Sequence, residues 1–144
     1  MVTTYPATAE KLAISNYLLR GNIPVLEAVA PHYPDVDALL IQYRLEKKST
    51  KTAQLLNAFF PGAGYLYLGQ KQSALTAFLL NGVCIWASCY FFAHGNIPAG
   101  MIFTSIEAGW YFGGIYGAGQ EAKFYNEFFL ELFVDVIDLA PILK

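Results

Sequence analysis

Between Thr52 and Gln120 the chain carries only two formal charges, Lys71 and Glu107. Within that region Ala74 to Ala93 is wholly uncharged. As a helix rising about 1.5 Å per residue, this stretch reaches about 30 Å. Asn96 to Gln120 carries only Glu107. A hydrocarbon core about 30 Å thick needs roughly 20 apolar residues to cross. Joined only by Gly95 and its neighbours, the two stretches predict an antiparallel membrane hairpin with spans at about 74–93 and 96–118. The expected fold class is all-α.

Composition agrees with this. Of 144 residues, 56 % are hydrophobic and 14 % charged, against roughly 45–50 % and 25 % in soluble domains. A soluble helical bundle, the competing class, would have too little polar surface to clothe its core. A net charge of −2 gives no field that favours nucleic acid. Cys84 and Cys89 lie about 140° apart around one helix and cannot pair locally. His32 and His94 are isolated, and no metal-ligand spacing, phosphate loop or nucleophile–base pair is visible. The expectation is a protein that is not an enzyme and needs no cofactor. Lys11, Asn16 and Arg20 interrupt the first apolar-rich stretch, so no signal-peptide pattern is present.

Three regions follow along the chain. Residues 1–50 predict a soluble helical cap whose short helices, separated by Gly or Pro, resemble the units of repeat arrays. Thr8 is the expected N-cap of a first helix, with Ala9, Leu12, Ala13, Ile14, Tyr17 and Leu18 spaced for one apolar face. Gly21-Asn22 ends it, Pro24 opens a short second helix, and Pro34-Asp35 starts a third with Val36, Leu39, Leu40 and Tyr43 on one side. Residues 51–120 predict the membrane domain, and residues 121–144 an amphipathic C-terminal helix. In that last helix Phe124, Phe128, Leu132 and Val136 recur every fourth residue, joined by Phe129, Phe133 and Ile137. Glu127, Glu131, Asp135 and Asp138 form an acidic strip. An acidic face argues for docking onto protein, and the nearest basic candidate is the collar Arg44, Lys47, Lys48 and Lys51.

The collar also bears on orientation, because Lys and Arg beside spans stay cytoplasmic. The segment 52–68 is broken by Pro61, Gly62 and Gly64 and leaves two readings open. A full crossing would set Lys71 and Lys123 opposite the collar. An interfacial or re-entrant helix would keep all the basic residues on one side, with only His94-Gly95-Asn96 outside. The positive-inside rule favours the second, with a multi-pass protein in the cytoplasmic (inner) membrane and both termini cytoplasmic.

Two constellations stand out in the hairpin. Ser105, Gly109, Gly113 and Gly117 recur at four-residue spacing and predict a bare groove. It serves either to pack on the 74–93 helix or to dimerise. Glu107 sits at costly depth; in an antiparallel hairpin turning at about Gly95 it is level with Val83, within reach of Asn81. A latch between Asn81 and Glu107, a proton- or ion-responsive site, and an ionic contact to a partner subunit all remain open. Aromatics near the span ends, including Tyr65, Tyr67, Trp110, Tyr111 and Tyr116, read as interfacial anchors.

Asn57-Ala-Phe-Phe-Pro-Gly-Ala-Gly-Tyr-Leu-Tyr-Leu-Gly69, followed by Ala74 and the apolar run to Phe92, resembles the bacterial relatives of the two-transmembrane-helix (TM2-like) domain. In that pattern a Pro/Gly-x-Gly turn, with a Tyr-x-Gly step ending here at Gly69, precedes a membrane hairpin. Glu107-Ala-Gly-Trp-Tyr-Phe-Gly-Gly-Ile-Tyr-Gly-Ala118 with Tyr125-Asn126 is similar to the second half of uncharacterised proteins of this kind. Some of these carry tetratricopeptide-like helices upstream. The resemblance covers roughly residues 50–126. It departs from the pattern in the Trp-Tyr-x-Gly-Gly segment and the acidic last helix. It implies no established activity and carries over no catalytic residue.

The functional expectation is a non-enzymatic accessory or scaffold subunit in the lipid bilayer, assembling with a membrane-protein partner or as a homo-oligomer. A small channel or transporter component using Glu107, or a factor for membrane-protein insertion or envelope assembly, are the alternatives.

Overall fold

The structure, a computed structural model, describes the backbone of residues 5–139 and the side chains of residues 9–134. Every regular element among them is helical: α1 (Tyr5–Leu19), α2 (Ile23–Val29), a 3₁₀ turn (Ala30–His32), α3 (Pro34–Glu46), α4 (Thr50–Phe59), α5 (Ala63–Tyr67), α6 (Lys71–Ala93) and α7 (Ile97–Leu139). The chain is all-α. It divides into two compact units, residues 1–47 with 124–144, and residues 48–123.

Three glycines punctuate these helices by one device. Gly21, Gly69 and Gly95 all have positive φ. At each, the glycine N–H returns to the carbonyl three residues back and the next N–H to the carbonyl five back. The bonds are Gly21 to Leu18 and Asn22 to Tyr17, Gly69 to Leu66 and Gln70 to Tyr65, and Gly95 to Phe92 and Asn96 to Phe91. These are Schellman closures, which satisfy carbonyls that the ended helix leaves unpaired.

The core of the first unit joins Ile14 and Leu18 of α1, Leu26 of α2, Ala30 and Val36, Leu40 and Tyr43 of α3, and Leu130 and Val134 of α7. Phe129 stacks obliquely on Tyr43 with ring centroids 6.3 Å apart. Three expectations change here. α1 is already helical at Tyr5, so Thr8 lies inside the helix instead of capping it. Leu12 is exposed, off the Ile14–Leu18 side. The last helix docks through Phe129, Leu130 and Val134, while Phe124, Phe128 and Leu132 face outward. The described core contacts of this helix are apolar, and Arg44 of the collar pairs with Glu27 at 2.6 Å. The side chains of Asp135, Val136, Ile137 and Asp138 lie outside the described residues.

In the second unit α4 and α5 fold back on each other, and α6 and α7 form an antiparallel pair closed at His94–Asn96. α7 continues through Gly119-Gln120, where a break was expected. A mid-helix glycine costs about 1 kcal/mol against alanine, but Gly119 is buried with the Gln54 side chain close against its Cα. Tertiary packing outweighs the local preference. Among the described residues α6 is the one helix long and apolar enough to cross a membrane. The 97–118 stretch of α7 falls short because Gly, Ser, Thr and Tyr dilute its apolar content and Glu107 charges it.

Candidate functional site

Apart from Arg44 and Lys47 of the collar, the site residues singled out by the sequence lie in the 48–123 unit, and the 61–69 turn organises them. Ser49 caps α4, its Oγ accepting from the Thr52 N–H at 3.2 Å. Pro61 cannot continue the helix, and the Asn57 carboxamide stands in for the lost backbone partner by accepting the Gly62 N–H at 2.8 Å. Gly62 has φ +96°, and a Cβ there would lie 2.3 Å from the Ala74 carbonyl oxygen. At Gly64 a Cβ would lie 2.3 Å from the Ala53 oxygen and 2.8 Å from the Ala118 Cβ. Backbone thus meets backbone where α4, α5, α6 and α7 converge. Ala53, Leu68, Ala118 and Ala122 form the small core around this point.

α5 brings the chain back to where α4 began. The Ser49 N–H donates to the Tyr67 hydroxyl at 3.2 Å, and the Lys48 ammonium lies 5.2 Å from the Tyr67 ring centroid. Gln70 Nε2 donates to Glu121 at 2.6 Å. α4 runs alongside α7, with Gln54 against Gly119, Asn57 against Gly114, and the Tyr111 hydroxyl donating to the Ala58 carbonyl. The tip at Phe59-Phe60 is thus on the level of Tyr111. Tyr65 and Tyr111, expected as interfacial anchors, tie helices together instead; Tyr65 Oη donates to the Gly114 carbonyl at 3.5 Å. Trp86, Trp110 and Tyr116 do stay exposed. Asn57 and Tyr111 are the site residues whose roles sequence reasoning missed. The only local signal was an amide five residues ahead of a glycine that needs an acceptor.

The glycine groove does not behave as one surface. A Cβ on Gly117 would lie 2.6 Å from Tyr65 Oη, yet at Gly109 and Gly113 nothing lies within 4 Å. Four residues advance an α-helix by about 400°, so an every-fourth pattern drifts about 40° per step. Gly117 therefore turns inward against α5 while Gly109 and Gly113 look outward. Packing of Gly109 and Gly113 on α6, one of the two expectations, is not what forms. These two glycines, with Tyr65, Trp110 and Gly114, line a shallow cleft of about 300 Å³. Ser105 and Thr104 hydrogen-bond back to Met101 and Gly100 of their own helix, at 2.8 Å and 2.9 Å.

Glu107 faces α6, but the expected bond to Asn81 is not made. Asn81 Nδ2 donates to the Ala77 carbonyl at 2.6 Å. Asn81 Oδ1, both Glu107 carboxyl oxygens and the Ser88 hydroxyl are buried without a hydrogen-bond partner. The reason is register. Phe91 stacks on Phe103 at 5.4 Å, and the Phe92 ring lies against Gly100. Pairing 91 with 103 in an antiparallel hairpin puts Glu107 level with residue 87, more than a turn closer to the loop than Asn81. Glutamate side chains also lean towards their helix N-terminus, further from Asn81.

Among the described residues no three His, Cys, Asp or Glu side chains gather as metal ligands would. No family model matches this sequence, and no curated protein or solved structure does either.

Proposed function

We propose that this chain is a helical-hairpin membrane protein of the TM2-like kind, a non-enzymatic accessory or scaffold subunit of the cytoplasmic membrane. One observation carries the reading. α6 is long, apolar and uncharged from Ala74 to Ala93, yet only 22 % of its most apolar stretch is buried. The core helix of a soluble protein would be covered by its own fold. Here Phe78, Val83 and Trp86 on α6, and Met101, Ile102 and Phe112 on α7, all face outward. Apolar surface on that scale calls for lipid or protein around it.

In this reading α6 and residues 96–118 of α7 both cross the bilayer. The second span is less apolar because its glycines admit another helix and its one charged residue, Glu107, turns its carboxyl inward rather than to lipid. The α4–α5 hairpin is re-entrant, and its broken backbone at 61–64 is sealed by protein, as membrane depth demands. The Ser49–Tyr67 and Gln70–Glu121 bonds support placing Lys48, Lys51, Lys71 and Lys123 at one end. That end faces the cytoplasm with both termini, and His94-Gly95-Asn96 faces out. The open Gly109–Gly113 face takes a helix of a membrane-protein partner or of a second copy.

A second reading rests on Glu107, whose two buried carboxyl oxygens lack partners: an ion-linked channel or transporter component. The Ser105 and Thr104 back-bonds leave it little polar lining.

Carbonate extraction of membranes and cysteine mapping test the main reading. With Cys84 and Cys89 replaced by alanine, a cysteine at Asn96 is expected to react with an impermeant thiol reagent in intact cells, and one at Lys123 is not. The opposite labelling, or release by carbonate, sinks the proposal.

A further inference from the structure

We infer that the lysine-rimmed end of the 48–123 unit binds an anionic membrane leaflet, with the α4–α5 hairpin as its apolar wedge. The inference rests on the membrane reading above and names the lipid chemistry that the end selects.

The first observation is the outer face of α4. Ala53 and Asn57 point inward, while Leu55, Phe59 and Phe60, with Leu66 of α5, are 59 %, 78 %, 70 % and 59 % exposed. Two adjacent phenylalanines exposed at the tip of a tightly built hairpin need an apolar environment. The second observation is where the charge sits. The unit contains six charged side chains: Lys48, Lys51, Lys71, Glu107, Glu121 and Lys123. Glu107 is remote, level with residue 87. The other five belong to the end where Ser49 meets Tyr67 and Gln70 meets Glu121. Glu121 is engaged by Gln70, and Lys51, Lys71 and Lys123 are exposed.

The two observations belong together along one axis. From Lys51 to Phe59 α4 advances about 12 Å, the distance from headgroup level into the acyl region. Lysine stems reach along apolar surface to hold an ammonium at the headgroups, directly above the Leu55–Phe59 face. A soluble anion would satisfy the lysines but leave that face in water. A zwitterionic leaflet would cover the face but not complement the cations. An anionic leaflet does both. Each lysine near such a surface favours it by about fivefold, and added salt weakens the effect.

The test uses the full chain reconstituted in vesicles, with Trp86 and Trp110 changed to phenylalanine and Leu55→Trp as the reporter on α4. Brominated phosphatidylglycerol and brominated phosphatidylcholine are compared as quenchers. The expected result is preferential quenching by the anionic lipid of about fivefold or more, lost in K51Q/K71Q/K123Q and unaffected by inorganic phosphate. These lysines are exposed, so the triple variant should retain its fold, checked by its circular dichroism. Equal quenching by the two lipids overturns the inference and leaves the membrane reading standing. Abolition of the preference by inorganic phosphate overturns it in favour of a simple anion site. Quenching by neither lipid overturns both.

Discussion

Two sets of glycines in the same unit do opposite jobs. Gly62 and Gly64 sit where a side chain would strike a carbonyl at 2.3 Å, whereas Gly109 and Gly113 open onto space. One set is used up inside the fold, letting α5 wedge between α4, α6 and α7. The other leaves bare backbone for something outside. A glycine-rich segment therefore reports close approach without saying whether the approaching group belongs to the same chain. Only the filled set contributes to the stability of the isolated protein; the open set can contribute only to association.

Gly64→Ala breaks that comparison most severely. Its methyl group would press on the Ala53 oxygen and on Ala118, and overpacking against backbone should cost about 3 kcal/mol. Thermal unfolding in detergent should show a large fall in Tm. An unchanged Tm would mean that α5 does not sit where the filled set requires.

Asn57→Ala should come next. It strips the buried Gly62 N–H of its acceptor, a loss of about 1–3 kcal/mol. Asn57→Asp keeps the acceptor and should recover part of the loss; the two unfolding curves coinciding would show that the bond is not what holds the turn.

Glu107 lies between the extremes, inward but unpartnered. Because its oxygens make no hydrogen bond, Glu107→Leu should be neutral or stabilising, by no more than about 1 kcal/mol. Glu107→Gln should leave stability within the same range. Clear destabilisation by Leu would revive a latch. Loss of cellular function with both variants, in normally assembled protein, would favour the ion-linked reading.

Gly113→Leu should have the smallest effect on the fold, within about 0.5 kcal/mol, since nothing lies near the new side chain. Crosslinking in membranes should nevertheless show reduced assembly. A strong fall in Tm would place Gly113 in the filled set, and unchanged crosslinking would leave the cleft facing lipid.

Helix content, the Gly21 and Gly95 stops, the break after Phe60 and the uncharged 74–93 stretch were all legible from residue type alone. They depend on local preferences: glycine at positive φ, proline without its N–H, and apolar length against membrane thickness. The inward faces of α1 and α3, through Ile14, Leu18, Val36, Leu40 and Tyr43, were also legible, but the face of the last helix and the register of the hairpin were not. The Phe124–Phe128–Leu132 row and the Phe129–Leu130–Phe133–Val134 row are equally good stripes, and the core formed with α1 and α3 selected the second. Likewise the Asn81–Glu107 pairing failed by about a turn of register, because aromatic stacking of Phe91 on Phe103 aligns the hairpin.

By itself, then, the sequence pointed to an all-α chain with two long stretches of low charge and a proline–glycine turn ahead of them, and among the described residues the helix at 71–93 is the one apolar enough for a bilayer. These follow from the chemistry of single residues and short windows. Tertiary structure alone decided that α7 continues through Gly119-Gln120, that Gly117 is filled while Gly113 is open, and that Glu107 buries its carboxyl oxygens without a hydrogen-bond partner. The physical reason is rotational. A helix turns about 100° per residue, so small offsets in packing move a side chain from core to surface, and only neighbouring helices set those offsets.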